Sequence, residues 1–186
     1  MNLSIPIPVR VRLEEPGDVE AIRRINELAF GGVTEADVVD VLRGAGAVAL
    51  SMVAVADGDA IGGAAADGEV VGHALFSPVT IDSGRVRTSA LGLGPMAVRP
   101  DLQRRGVGTV LIDCCLEHLR AAGYEAVVVV GHPAYYPRFG FLPASKWALR
   151  WEADVSDEAF MALELRAGAL SGVSGAVRYR PEFAEV

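Results

Sequence analysis

Cysteine and lysine are almost missing from this chain. Of 186 residues only two are cysteine, the neighbours Cys114 and Cys115. A disulfide between neighbours is strained, and no CxxC or Cys/His cluster accompanies them, so a structural zinc site is not expected and no metal is assigned. They read as two small, mostly buried helix residues. Lys146 is the single lysine, and the other sixteen basic residues are arginine. Positive charge is scarce altogether, because the formal net charge is −7. That balance opposes general binding of nucleic-acid phosphates, so no nucleic-acid partner is expected. It also requires any anionic ligand to find a local positive site. Long apolar runs are lacking too. Ala47–Ala56, the longest, is about half of what a membrane span needs. Met1–Val9 shows no basic segment followed by an apolar one. A cytoplasmic protein with no membrane partner is expected. The sequence has no GxxxxGKS/T motif, which excludes a P-loop nucleotidase.

What is present suits one globular domain, with 51% hydrophobic and 22% charged residues. Val9–Leu13 reads as a strand, and Val19, Ile22, Ile25 and Ala29 follow at helical spacing after Pro16. Glu35–Arg43 predicts a second helix and Ala49–Ala56 a strand. Asp57–Gly58 suggests a turn, and Gly62–Gly68 a loop. Val70–Ile81 and Ser89–Val98 predict long strands joined at Asp82–Ser83–Gly84. Pro78 marks an edge or bulge in the first, and Gly92, Gly94 and Pro95 predict that the second bulges or splays. A helix to about Ala122 follows, with Val107, Val110, Leu111, Cys114 and Leu119 as its apolar face and Gly123 as its cap. Ala126–Val130 suits a buried parallel strand. In the tail, Phe160–Leu165 and Val177–Tyr179 suggest a hairpin. Residues 1–8 read as a tail and 9–186 as one domain, with a core over 9–141 and an extension over 142–186. The fold class is a mixed-sheet α/β or α+β fold.

The strongest chemical signal runs from Met96 to Thr109. A strand (Met96, Ala97, Val98) leads into the polar loop Arg99–Arg105. Gln103, Arg104, Arg105, Gly106, Val107, Gly108 and Thr109 then open an amphipathic helix. Such a helix start offers unpaired N–H groups and partial positive charge. Gly106 and Gly108 allow phosphate to approach the backbone, and Arg99, Arg104 and Arg105 add charge. The stretch Gly92–Ala97 fits GxGxxA nominally, but it continues a strand where a dinucleotide fingerprint opens a helix.

Gln103–Gly108 resembles the Q/R-x-x-G-x-G/A element of the GNAT acetyltransferases. "GLGPMAVRP" before it is similar to that family's fourth strand, and "YYPRFGF" to its Tyr-containing FY-x-x-x-GF segment. The tail resembles the C-terminal extension of the YhbS-like branch. The resemblance implies a GNAT-like fold with splayed central strands and the tail hairpin as an extension. It implies an enzyme that moves acetyl from acetyl-CoA, as co-substrate, to a primary amine of a small molecule or peptide by direct attack. A non-catalytic acyl-CoA sensor of the same fold is the alternative. It implies that Met96, Ala97 and Val98 pair through their backbones with pantetheine, and that the amides of Arg104–Thr109 hold the pyrophosphate. Tyr136 would protonate the departing thiolate, with Tyr135 read as packing. His132 follows the fifth strand and would touch the cofactor. The general base stays open among Glu27, Glu35, Glu69, His73 and water, with His73 also readable as a satisfied sheet histidine. His118 reads as surface. The tail hairpin offers an edge through which two copies would pair as a homodimer.

Overall fold

The computed structural model describes residues 6–61, 68–153 and 155–184. Its elements run β1 (Val9–Leu13), α1 (Val19–Phe30), α2 (Thr34–Gly44), β2 (Leu50–Ala56), α3 (Gly58–Ile61), β3 (Glu69–Asp82), β4 (Arg87–Val98), α4 (Val107–Ala121) and β5 (Ala126–Val130). Four short strands complete it: β6 (Leu142–Pro143), β7 (Leu149–Trp151), β8 (Phe160–Glu164) and β9 (Gly175–Arg178). One mixed sheet holds the strands in the order β1-β2-β3-β4-β5-β8-β6, and β9 joins β3 and β7 beside it.

Apolar alternation along the strands divides the core into two faces. On one face α4 lays Leu111, Ile112, Cys115, Leu116 and Leu119 over Ala74, Phe76, Leu91, Leu93, Val127 and Val129. The other face has two covers. Helices α1 and α2 place Ile22, Val38, Val39 and Leu42 on Val53, Val55 and Leu75. The C-terminal segment places Leu149, Phe160, Leu170 and Val177 around Val79, Ile81, Ala90 and Val128. Arg23 ties α1 to α2 by reaching Asp37 at 2.7 Å and Asp40 at 2.6 Å.

Four expectations are corrected. The tail contains no hairpin: β8 pairs with β5 and β6, whereas β9 pairs with β3 and β7. Each segment has strand propensity, but its partner is distant in sequence. The extension is therefore woven into the sheet. Asp57–Gly58 opens the short helix α3 and is not a simple turn. The apolar face of α4 is rotated by about one position, so that Ile112, Cys115 and Leu116 are buried while Val110 is 39% exposed and Cys114 half-buried. Ile7, placed in the tail by the sequence, is buried in the core, and its N–H donates to Arg105 O at 3.1 Å. The loop expected at Gly62–Gly68 lies outside the described residues apart from Gly68.

Pro78 occurs where it costs no ladder bond. β2 ends opposite Phe76 and β9 begins opposite Thr80, so neither strand reaches Pro78 on that side of β3.

Candidate active site

The glycines of β4 have the effect their sequence predicts. β4 pairs with β5 only through Leu91, Gly92 and Leu93. Beyond Leu93 it stays on β3, with Met96 opposite Ala74, Ala97 opposite His73 and Val98 opposite Gly72. β5 meanwhile continues along β8 to Val130. The two strands part, and the β5-facing backbone edge of Met96–Val98 faces a wedge with no strand in it. An extended chain of strand width would meet main-chain donors and acceptors there.

The start of α4 lies at the mouth of this wedge. Gly106 is its N-cap with φ of 87°, and Arg104 also has a positive φ of 61°. This left-handed pair turns the chain into the start of α4. The first helical bonds run from Thr109 N–H and Val110 N–H to Gly106 O, at 3.0 and 3.1 Å. The amides ahead of them lack that intrahelical partner. Gln103 braces the loop by donating from Nε2 to Val98 O at 3.1 Å. Arg104 is exposed, Arg105 half-buried. Arg99 is not available as an anion ligand, because it pairs with Glu69 at 2.7 Å and Asp101 at 2.8 Å.

Gly108 has a role the sequence did not reveal. A Cβ there would lie 2.6 Å from Tyr135 Oη and 2.9 Å from Met96 Cε. Its missing side chain lets helix, β4 and the tyrosine turn close on one another. Gly131 does the same for Tyr136, whose ring edge fills the place of a Cβ. Tyr136 is 8% exposed, with its hydroxyl 4.0 Å from Met96 Sδ. Burial, and then the neighbouring Tyr135 phenol, raise its pKa well above the ordinary phenol value. The group is thus held protonated beside the wedge. Tyr135 stacks edge-on against Tyr136 and tilted against Phe139, with ring centroids 5.1 and 5.3 Å away, the packing role expected of it. His132 is exposed, and its carbonyl accepts the Tyr135 N–H at 2.9 Å.

The base candidates are placed less favourably. Glu27 pairs with Arg23 at 3.0 Å, and Glu69 with Arg99. Glu35 is half-buried in the first turn of α2. His73 is fully buried. Asn26 Nδ2 donates to Ile22 O at 2.9 Å and to His73 Nδ1 at 3.2 Å. That leaves the ring proton on Nε2, which donates to Ser51 Oγ at 3.0 Å. Ser51 in turn donates to Glu14, whose other oxygen accepts from Arg43 Nε at 2.9 Å. Burial chiefly, and then the Arg43 charge, lower the His73 pKa from 6.5 to about 3. This is the arrangement of a satisfied sheet histidine, one of the two readings the sequence left open. Among the described residues no group of three or more His, Cys, Asp or Glu could hold a metal. No described helix is long and apolar enough to cross a membrane.

Comparison with known proteins attaches this chain to a family. The sequence model of the Acetyltransferase (GNAT) family matches residues 21–141. The chain belongs to the GNAT family. Its relative YhbS of Escherichia coli strain K12, named an uncharacterized N-acetyltransferase, is 34% identical over 173 residues, 93% of this chain and 97% of that protein. The crystal structure of Escherichia coli YhbS in complex with CoA superposes with a TM-score of 0.85 at 32% identity, covering 96% of this chain and 93% of that one. A GNAT acetyltransferase from Brucella melitensis, solved with acetyl-CoA, gives a TM-score of 0.73 at 34% identity, covering 95% and 98%. The GNAT match ends at Phe141, so β6 to β9 lie outside it, whereas the YhbS likeness extends through them. The chain is a GNAT acetyltransferase.

Proposed function

We propose that this enzyme transfers the acetyl group of acetyl-CoA to a primary amine by direct attack. The observation that carries the reading is the wedge between β4 and β5, with the start of α4 at its mouth and the buried Tyr136 at its side. Pantetheine would extend β4 by pairing with Met96, Ala97 and Val98. The amides from Arg104 to Gly108 would take the pyrophosphate, Gln103 bracing their loop, while that of Thr109, which the sequence also offered, is committed to Gly106 O. His132 borders the same turn as Tyr136 and would flank the cofactor. The Brucella relative, solved with acetyl-CoA, supports the cofactor assignment.

The chemistry follows from these positions. The amine nitrogen attacks the thioester carbonyl, whose oxygen gains charge and is stabilised by main-chain N–H groups of the splayed strand. On collapse the C–S bond breaks. Tyr136 gives its proton to the thiolate, the nitrogen loses one to solvent, and Tyr136 regains one from solvent. Burial keeps the phenol protonated at neutral pH, which is the form a proton donor needs.

A second reading, an acyl-CoA sensor without turnover, draws on one observation: His73 is sealed in the core and Glu27 and Glu69 are ion-paired. Calorimetric titration with acetyl-CoA tests the cofactor site. Release of CoA thiol across a panel of small and peptide amines then separates the two readings. Binding with turnover supports the transferase, binding without turnover supports the sensor, and no binding refutes both.

A further inference from the structure

Residues 6–8 precede β1 and lie outside the family match, which begins at residue 21. They still reach the site. Ile7 is buried in the cluster that holds Leu102 of the polar loop and Val107 and Leu111 of α4. Its N–H donates to Arg105 O at 3.1 Å. Pro6 lies 3.9 Å from the place a Cβ on Gly106 would take. A short N-terminal strap is thus fastened to the loop that opens α4.

Arg105 stands between two left-handed residues, Arg104 with φ of 61° and Gly106 with φ of 87°. A residue other than glycine keeps such a conformation only where its surroundings hold it. Gln103 anchors one side of the loop on Val98 O, and Val107 anchors the other in the core. Ile7 holds the middle. Its bond also has a direction. A trans peptide group is planar, with carbonyl oxygen and amide hydrogen on opposite sides. The bond that keeps Arg105 O turned towards Ile7 therefore keeps the Gly106 N–H, in the same peptide group, turned away from it. That N–H precedes the first helical bonds, which start from Thr109 and Val110. A flip of the Arg105–Gly106 peptide would put a carbonyl oxygen where the N–H stands, and so turn partial negative charge towards an anion at the helix start. Gly106, tolerant of either sign of φ, does not prevent that flip by itself.

We propose that Ile7 is a positioning residue for the phosphate end of the cofactor: by holding the Arg105 carbonyl it aims the Gly106 N–H at the pyrophosphate. The proposal rests on the acetyl-transfer reading and its phosphate loop, and adds a part to that site from outside the family match. Ile7 touches no reacting atom. It acts through the backbone of Arg105 and Gly106, so its effect falls on affinity for the phosphate-bearing part of the ligand. The strand edge at Met96–Val98 and the Tyr136 phenol belong to other elements and serve the pantetheine arm and the thioester as before.

The test uses the full chain and two probes: acetyl-CoA, followed by calorimetry, and S-acetylpantetheine, which has the same thioester and arm without phosphate, followed by ligand-observed NMR. Ile7→Pro deletes the N–H in a segment whose neighbours, Pro6 and Pro8, already favour extended backbone. Ile7→Ala keeps the N–H and loses more of the side chain. Ile7→Pro should weaken acetyl-CoA binding by ~10-fold, the lower range for one hydrogen bond to a charged group, and leave S-acetylpantetheine unchanged. Ile7→Ala should stay closer to wild type with both probes. Unchanged acetyl-CoA affinity in Ile7→Pro overturns the proposal. Equal weakening of both probes, or an Ile7→Ala defect as large as that of Ile7→Pro, does so too, because either marks Ile7 as packing alone. A measurement on the wild type stands apart from the folding of any variant. The Ile7 amide should be protected from hydrogen exchange, and the Gly106 amide proton should move downfield with acetyl-CoA but not with S-acetylpantetheine. An unprotected Ile7 amide, or a Gly106 amide indifferent to acetyl-CoA, also overturns the assignment. If the wild type binds acetyl-CoA no more tightly than S-acetylpantetheine, the phosphate loop itself has failed. If it binds tightly and Ile7→Pro does as well, only the present proposal has.

Discussion

Mild acid should destabilise this protein through His73, and the size of the effect can be worked out. The ring is sealed between Asn26 and Ser51 as a neutral tautomer, with its pKa lowered from 6.5 to about 3. Between those values the unfolded chain binds a proton that the folded chain refuses. Stability is therefore full above pH 6.5 and is lost as pH falls towards 3. At pH 5.0 the unfolded imidazole lies about 1.5 pH units below its own pKa, which costs roughly 2 kcal/mol at 1.36 kcal/mol per unit. That is a large part of a typical folding free energy of about 5–15 kcal/mol. Asp18, whose carboxyl is held low chiefly by its hydrogen bond to Arg12, adds a loss of the same sign, but mainly further into acid. Urea denaturation at pH 7.5 and 5.0, for wild type and His73→Gln, isolates the histidine. The variant is less stable overall, since it breaks the relay, yet its loss between the two pH values should be smaller by about 2 kcal/mol. The exposed His118 and His132 cancel in the difference. Equal pH dependence in the two proteins would refute the sealed neutral ring and reopen His73 as a titrating group.

Tyr136→Phe retains the ring against Gly131 and should lower kcat by at least ~10-fold with acetyl-CoA affinity little changed, where chemistry is rate-limiting; wild-type kcat would leave Tyr136 a packing residue. Gly106→Val forces a β-branched side chain onto a left-handed backbone and should weaken acetyl-CoA binding by at least ~10-fold in calorimetry, about 1.4 kcal/mol, while wild-type affinity would remove the phosphate-loop assignment. Gly108→Val should instead disturb Tyr135 and Met96, so it should lower kcat as well as affinity; an effect on affinity alone would argue against that packing. Gly92→Ala pushes a methyl into the Tyr179 ring, whose Cε1 lies 2.5 Å from the place of that Cβ, and should cost about 1–3 kcal/mol in chemical denaturation. Combining it with Tyr179→Ala should recover part of that loss, and strict additivity would show that the two do not touch.

Local features of the site were legible in the sequence because their causes are local. Gly92, Gly94 and Pro95 are poor strand residues, and β4 does leave β5 among them, beyond Leu93. A glycine before an amphipathic run marks a helix start, and Gly106 is that N-cap. The failures share a different cause. Phe160–Leu165 and Val177–Tyr179 each read as strand and overlap β8 and β9, but pairing is a long-range choice, and proximity in sequence suggested a hairpin that β5 and β3 outcompete. Tyr179 has no motif around it, and its position follows only from where β9 docks. The roles of Gly108 and Gly131 as spaces for Tyr135 and Tyr136 are properties of the packed neighbours. For His73 the alternation placed it in a strand, but only the relay from Asn26 to Glu14 shows why it is inert.

The docking of β9 against β3 also bears on how the molecule is made. During synthesis, α1 to β5 leave the ribosome well before residues 175–178 do. Until those residues emerge, Thr80–Asp82 present an unpaired strand edge, and Gly92 has no aromatic ring above it. A nascent chain can therefore assemble the α4 side of the wedge while the opposite side is still missing. Closing β3 against β9 spans almost a hundred residues of sequence and is expected to come late in folding. The unfinished edge is the place where a holdase chaperone, or a second nascent copy, would find an open ladder to pair with.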